Sequence, residues 1–168
     1  ATNRLTECYD RSSRPEWPWF ESKMTYANAV LLHAMMIAAQ RWPQEKFHLV
    51  ALSSFAFLEQ TTTVNGFFQP IGNQGWFEHG EEKAIYDQQP VEAATMADAS
   101  LAAHELTNDK NHLVTFRRAR EWFFGENSQR QPLINPENHS CFDGLAAAGV
   151  NRNQGAESTL AYLFVAVL

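Results

Sequence analysis

Three stretches of the chain combine aromatic rings with carboxylates and side-chain amides, and these are the groups that could do chemistry. They are residues 16–28 (EWPWFESKMTYAN), 73–93 (NQGWFEHGEEKAIYDQQPVEA) and 139–159 (HSCFDGLAAAGVNRNQGAEST). Aromatic faces suit the apolar CH faces of a sugar ring, while carboxylates and amides suit its hydroxyl groups. Paired carboxylates are also the acid and base groups of glycoside hydrolysis. The composition of these stretches therefore predicts a carbohydrate site.

Asp87 and Glu157 are the predicted catalytic pair, one carboxyl acting as the acid and the other as the base or nucleophile. Glu92 and Asp143 are rivals for these two roles. We expect the indoles of Trp19 and Trp76 to stack on sugar rings and the amides to bond hydroxyl groups. The complete set of predicted substrate-binding residues is Trp19, Glu21, Tyr26, Trp76, Gln88, Gln89, Glu92, Asp143, Asn153 and Gln154.

Ordinary structural roles compete with these assignments. Asp87 would also suit a helix N-cap before the turn at Pro90, and Glu92 and Glu157 would also suit the positive end of a helix dipole. Trp19, together with a neighbouring tryptophan, would also cover the edge of a core. A metal site is the weaker alternative for the polar clusters, because the histidines are scattered and no pair has ligand spacing. We expect neither a metal ion nor an organic cofactor.

Helical patterns dominate the segments that must position these groups. Apolar residues recur at helical spacing in 21–42, 44–63, 90–106 and 111–126, and a last helix follows the third polar stretch. Long loops are expected over 63–80 and 127–154, with no β-hairpin of any strength. Short connections between helices predict antiparallel hairpins. If the helices after the three polar stretches run parallel, those stretches meet at one end of a single all-α domain spanning 1–168.

The bulk composition describes a globular domain and disfavours two classes of partner. The chain has 168 residues, 45% of them hydrophobic, with a formal net charge of -6. That charge argues against a nucleic-acid surface, which is normally basic. The longest apolar run, LAYLFVAVL at the end, is too short to cross a bilayer. Two cysteines, Cys8 and Cys141, lie far apart, and reduced thiols in a cytoplasmic protein are the simplest interpretation.

Several motifs resemble a known family. WPWFE (17–21), YDQQPVEA (86–93) and CFDGL with GVNRNQGAESTLAYL (141–145 and 149–163) resemble a bacterial family in the six-hairpin, (α/α)6-toroid glycosidase superfamily. Members are often described as glycosyltransferases or glycosyltransferase-associated proteins, and they tend to occur beside mannoside phosphorylases. The resemblance covers residues 16–168. It implies an antiparallel array of helical hairpins forming part of an (α/α)6 toroid, and carbohydrate processing on a substrate such as a mannoside.

Two departures from the family pattern raise an alternative function. Members read TYDNARLP where this chain has residues 25–32, so Ala27 replaces an acid and Val30 replaces an arginine. If that acid is catalytic in the family, this chain is a non-catalytic carbohydrate-binding or assembly module derived from such an enzyme. The chain also resembles only the C-terminal half of the ring.

Half a ring would expose two helix edges that a complete ring buries. The predicted first helix is apolar almost all round between Val30 and Ala38, and the last helix is apolar at Leu160, Leu163, Phe164 and Val167. Exposed patches of that kind exceed what a monomer normally shows. We therefore predict a two-fold homodimer with a largely apolar interface.

Overall fold

Six α-helices make up about half of the computed structural model, which describes residues 2–168. A single 3₁₀ turn, Trp122–Phe124, follows the fifth of them. The helices are α1 (Thr2–Ser12), α2 (Ala29–Arg41), α3 (Glu45–Thr62), α4 (Pro90–Thr107), α5 (Asn111–Glu121) and α6 (Ala156–Val167). The prediction of a mainly helical chain is therefore confirmed. The helix α1 was not predicted, and α2 begins at residue 29 rather than near residue 21.

The ends of the helices follow from local chemistry. Proline occupies the first position of α4, where its missing N–H leaves no hydrogen bond unmade. The same helix ends at Asn108, which adopts the left-handed conformation with φ of 58°. The turn after α5 ends at Gly125 with φ of 102°, a conformation that glycine adopts without steric cost. Pro43 follows the end of α2 and prevents that helix from continuing.

The helix α4 lies at the centre and packs against α2 on one side and α6 on the other. Two hairpins, α2 with α3 and α4 with α5, add an outer layer, and α1 packs against α2 and α3. Alanines on the buried surface of α4 allow this close approach from several sides. They are Ala93, Ala94, Ala97, Ala99, Ala102 and Ala103.

The helices α2 and α4 are parallel. Near their C-terminal ends, Gln40 Nε2 donates to the carbonyl oxygen of Ala102 at 3.5 Å. At the other end, Glu92 in the first turn of α4 accepts hydrogen bonds from the chain that enters α2. The start of α6 lies at the same end, because Tyr26 before α2 bonds Glu157 in the first turn of α6. The starts of α2, α4 and α6 therefore meet, as the positions of the polar stretches predicted.

Two short β-hairpins correct the prediction that the chain contains no β-hairpin, and a third antiparallel strand pair joins segments that are distant in sequence. Asn65 and Gly66 have φ of 52° and 86°, the two left-handed residues of a tight hairpin turn. The pairs are β1 (Lys23–Met24) with β4 (Phe77–Glu78), β2 (Thr63–Val64) with β3 (Phe67–Phe68), and β5 (Gly144–Ala146) with β6 (Gly149–Asn151). Pairing with β4 keeps residues 23–24 extended, which explains why the helical pattern of 21–28 does not produce a helix.

A membrane-spanning helix would need a longer and more continuously apolar sequence than any helix within residues 2–168 provides.

The connection that holds the start of α4 against β5 is a reciprocal pair of main-chain hydrogen bonds. Gln88 N donates to Leu145 O and Leu145 N donates to Gln88 O, both at 2.9 Å. Gly144 has φ of 145° and passes so close to the Gln88 carbonyl that a Cβ atom would overlap its oxygen. Glycine is thus required here for both its conformation and its lack of a side chain.

We predict that Gly144→Ala lowers the free energy of unfolding by more than about 2 kcal/mol, because backbone strain and a steric clash add together. Gly149→Ala is the matched control. It lies in the same hairpin with φ of 126°, and its Cβ would meet only Gln131 Oε1 at 3.8 Å. Urea denaturation measures both variants. Equal losses of stability would show that the close approach to Gln88 does not matter.

Candidate functional site

A hydrogen bond between Tyr26 and Glu157 joins the entrance of α2 to the start of α6. The Tyr26 hydroxyl donates to Glu157 Oε2 at 2.5 Å. Both side chains are accessible, and Tyr26 is 45% exposed. Partial burial, the bond to Glu157 and the nearby charges of Glu157 and Glu92 raise the pKa of Tyr26 to about 12. Tyr26 therefore remains a protonated donor throughout the physiological range.

Glu92 satisfies the main chain at the start of a neighbouring helix. Its Oε1 accepts from the Ala27 amide at 2.5 Å, and its Oε2 accepts from the amide and the side chain of Asn28, each at 3.3 Å. Ala27 adopts the left-handed conformation with φ of 50°. The first amides of a helix have no partner within it and carry its positive dipole end, so a carboxylate is well suited to them.

The burial of Glu92 changes its protonation. The residue is only 5% exposed, and burial raises its pKa to about 7 against the opposing effect of its hydrogen bonds from Ala27 and Asn28. At neutral pH this group therefore exists as both carboxylic acid and carboxylate. A buried carboxyl that titrates near neutrality is the usual character of a general acid.

Asp143 organises the start of α6. Its Oδ1 accepts from the Gly155 amide at 2.7 Å and the Ser158 hydroxyl at 2.8 Å, and Oδ2 accepts from the Asn153 side chain. Burial alone would raise the pKa of Asp143, but these three hydrogen bonds outweigh it and hold the pKa below its usual value. Asp143 is thus a fixed anion whose oxygens are already used by the protein.

Asp87 retains one carboxylate oxygen without a hydrogen-bond donor. Its Oδ2 accepts from Gln74 Nε2 at 3.3 Å, whereas Oδ1 is buried and has no partner. The peptide bond between Tyr86 and Asp87 is cis. A buried acceptor left without a donor is costly. Of the two predicted catalytic residues, Asp87 is half-buried and Glu157 is exposed.

Two predicted substrate-binding residues belong to the core, and these predictions are wrong. Trp19 is fully buried beside Phe20, with ring centroids 5.3 Å apart, so it offers no face to a sugar. Gln88 is also fully buried, and its amide bonds Trp122 Nε1 at 3.0 Å and Ser128 Oγ at 2.9 Å. Burial removes both from any ligand.

Two predicted carboxylate ligands have structural roles instead. Glu92 is covered and bonds the main chain before α2, and Asp143 is occupied by the start of α6. The predicted contact of Glu92 with substrate is corrected accordingly, because this side chain is buried. The contact predicted for Asp143, which is half-buried, stays a prediction. The competing expectation, a carboxylate at a helix dipole, describes Glu92 except that the helix it serves is α2 rather than its own.

The remaining predicted residues keep polar or aromatic surface. Gln154 Oε1 accepts from Asn138 at 2.9 Å and from Ser140, and Asn153 bonds Asp143. Trp76 is half-buried and has φ of 66°. The other members are exposed or half-buried, namely Glu21 and Gln89.

Two clefts were not predicted from the sequence. One of about 620 Å³ includes Gln154, Phe142 and Arg152, the guanidinium lying 5.9 Å from the Phe142 ring centroid. The other, of about 600 Å³, includes Lys83, whose ammonium bonds the carbonyl oxygen of Thr61 and whose pKa burial lowers to about 8. The first cleft is formed within the single loop segment 131–154, whereas the walls of the second come from segments distant in sequence.

Potential metal ligands do not gather in the part of the chain that the structure describes: within 2–168, no three His, Cys, Asp or Glu side chains form such a group. Both cysteines, Cys8 and Cys141, are free thiols.

No protein-family model and no curated protein matches this chain in sequence.

Titration of Glu92 should make stability depend on pH. Its pKa is about 7 in the folded protein against 4.5 for the ordinary group, so the unfolded chain releases this proton first as pH rises. Protonated Glu92 is favoured in the folded protein, so its contribution to the free energy of unfolding is fully present below pH 4.5 and is lost as pH rises through 7. The total contribution is on the order of 3 kcal/mol. We predict that Glu92→Gln removes this part of the pH dependence.

Urea denaturation of wild type and variant at several values between pH 4.5 and 7.5 measures the difference in slope. Glu105→Gln alters an exposed carboxylate near the other end of the same helix, and it should retain the wild-type slope. Parallel pH profiles for wild type and Glu92→Gln would contradict the assignment.

Proposed function

We propose that the chain is a carbohydrate-processing domain, glycoside hydrolase-like or glycosyltransferase-associated, that acts on a sugar such as a mannoside. The observation that carries this proposal is the Tyr26–Glu157 hydrogen bond beside the buried Glu92. It gathers an exposed carboxylate, a phenol donor and a carboxyl that titrates near neutrality at the starts of three helices. The resemblance of the motifs to six-hairpin glycosidase relatives supports the same substrate class.

Catalysis in this proposal uses Asp87 and Glu157. Glu157 is exposed and held by Tyr26, so it serves as the base that activates water or as the nucleophile. Asp87 is half-buried with one unpartnered oxygen, so it serves as the acid that protonates the leaving-group oxygen. Trp76, Gln89, Asn153 and Gln154 retain surface for sugar contacts, and Glu92 and Asp143 hold the helix starts in place.

The helix arrangement supports part of an (α/α)6 toroid. In this proposal α2, α4 and α6 are inner helices whose starts line the mouth, and α3 and α5 are outer helices. The packing of α4 between α2 and α6, with antiparallel hairpin partners outside, is what such a ring requires. A cytoplasmic location belongs to the same proposal, and the two free thiols support it.

A second candidate is a non-catalytic carbohydrate-binding or assembly module derived from such an enzyme. Ala27 favours it, because this position is an acid in the family that the motifs resemble. The amide of Ala27 points to Glu92, so the position lies directly beside the gathered carboxylates. Loss of an acid there would leave the binding surface intact and remove a catalytic group.

Calorimetry with mannosides, together with a sensitive hydrolysis assay, tests both candidates. We predict that Glu157→Gln and Asp87→Asn each lower turnover by roughly a hundredfold or more, whereas Glu105→Gln, distant from the site, leaves it unchanged. Binding without turnover in the wild type would favour the module. If the wild type shows no binding and no turnover, both candidates are rejected.

A further inference from the structure

The cleft of about 600 Å³ along α3 is bordered by a lysine that the protein holds in a fixed position. The Lys83 ammonium donates to the carbonyl oxygen of Thr61 at 2.6 Å and to that of Gln69 at 3.1 Å. Thr61 lies in the last turn of α3, where carbonyl oxygens lack partners within the helix and carry the negative end of its dipole. An ammonium group has three protons, so one remains for a further acceptor.

No anion of the protein neutralises this ammonium. Within residues 2–168, no carboxylate oxygen lies within 4.0 Å of the Lys83 nitrogen. Carbonyl dipoles solvate a cation without cancelling its charge, and buried charges in proteins are normally paired. Burial accordingly lowers the pKa of Lys83 to about 8, and no neighbouring carboxylate raises it. A half-buried cation without a counter-ion, beside an open cleft, indicates that the missing anion belongs to a ligand.

The wall of the same cleft is aromatic and firmly supported. Phe57 and Phe77 both line it. Trp17, only 2% exposed, meets the two rings edge to face with centroid distances of 5.2 Å and 4.9 Å. Small-molecule sites combine such apolar walls with a few polar groups, and a cleft of this volume falls in their usual range. The ligand should therefore have an apolar body next to its negative charge.

The charges around the cleft favour a single carboxylate over a phosphate. Lys83 is the only basic residue among the described residues that line it, and Glu16 is the only acidic one. The Glu16 side chain is 66% exposed, and its Oε1 lies 3.3 Å from His79 Nε2. One ammonium group compensates one negative charge. A phosphate dianion would carry a second charge without a partner and would be repelled by Glu16.

We propose that this cleft binds a small carboxylic acid with an apolar body, its carboxylate on the Lys83 ammonium and its body against Phe57 and Phe77. The residues that line the cleft include none of the predicted catalytic or sugar-binding residues. The site is therefore separate from the proposed function and does not depend on it.

A titration of the full chain with 3-phenylpropionate, followed by the amide resonances of the protein, tests the site at a pH below the pKa of Lys83. The neutral amide 3-phenylpropanamide is the matched ligand, because it keeps the body and lacks the charge. We expect the acid to bind with a dissociation constant of about 1 mM or less and the amide to bind at least roughly tenfold more weakly. Equal affinities, or no saturable binding of the acid, would overturn the proposal.

Two variants assign the binding to this cleft. Lys83→Met removes the charge and should weaken binding of the acid at least roughly tenfold, whereas Lys110→Met, which alters an exposed lysine between α4 and α5, should not change it. Lys83→Met also removes two hydrogen bonds at the end of α3, so a second variant leaves them in place. Ala56 is exposed on α3 and lines the cleft, and Ala56→Phe should fill the space and abolish binding without lowering the urea midpoint.

The variants also distinguish a ligand site from a purely structural lysine. If Lys83→Met lowers the stability but binds 3-phenylpropionate as the wild type does, Lys83 serves only the end of α3 and the proposal is overturned. Unchanged binding in Ala56→Phe would place the ligand elsewhere and would overturn it equally. Neither experiment uses a sugar, so its outcome leaves the test with mannosides unaffected.

Discussion

The contact between the Glu92 carboxylate and the amides of Ala27 and Asn28 is the constraint on which the rest of the site depends. The side chain leaves the first turn of α4 and ends at the entrance of α2, so these two helices begin together. The bond from Gln40 to Ala102 near their other ends shows that they also run parallel. Burying a carboxyl group is unfavourable, and the orphan amides and dipole of α2 offset part of that cost. Tyr26, directly before these amides, then reaches Glu157 and draws in the start of α6.

How much of the fold the sequence could predict depended on whether the decisive interaction was local. The predictions of 44–63 and 90–106 fall within a residue of α3 (Glu45–Thr62) and α4 (Pro90–Thr107), because periodicity and a first-turn proline act along the chain. The turn at Asn65 and Gly66 was also local and readable, since this dipeptide favours a two-residue hairpin. The pairing of Lys23–Met24 with Phe77–Glu78 joins distant segments, so the helical pattern of 21–28 was misleading.

The same distinction between local and long-range interactions applies to the predictions of the site. Asp87 and Glu157 were predicted correctly as neighbours of helix starts, because each lies next to a recognisable helix pattern. Tyr26 was predicted inside a helix that begins near residue 21, and it lies instead before the start of α2. The burial of Trp19 and Gln88 could not be inferred from composition, since Gln88 depends on Trp122 and on Ser128, far along the chain. The role of Glu92 was equally unreadable. A first-turn glutamate normally stabilises its own helix, and only the packing of α2 on α4 directs it to another.

The most direct test of this account is a carbon-13 NMR titration of the Glu92 carboxyl carbon in the folded protein, assigned by comparison with Glu92→Gln. The account predicts a midpoint near pH 7, with the amide resonance of Ala27 shifting over the same range because its hydrogen bond ends on that carboxylate. A midpoint near 4.5, the value of an ordinary glutamate, with an unresponsive Ala27 amide would contradict the account. It would mean that Glu92 is in water and does not join α4 to α2.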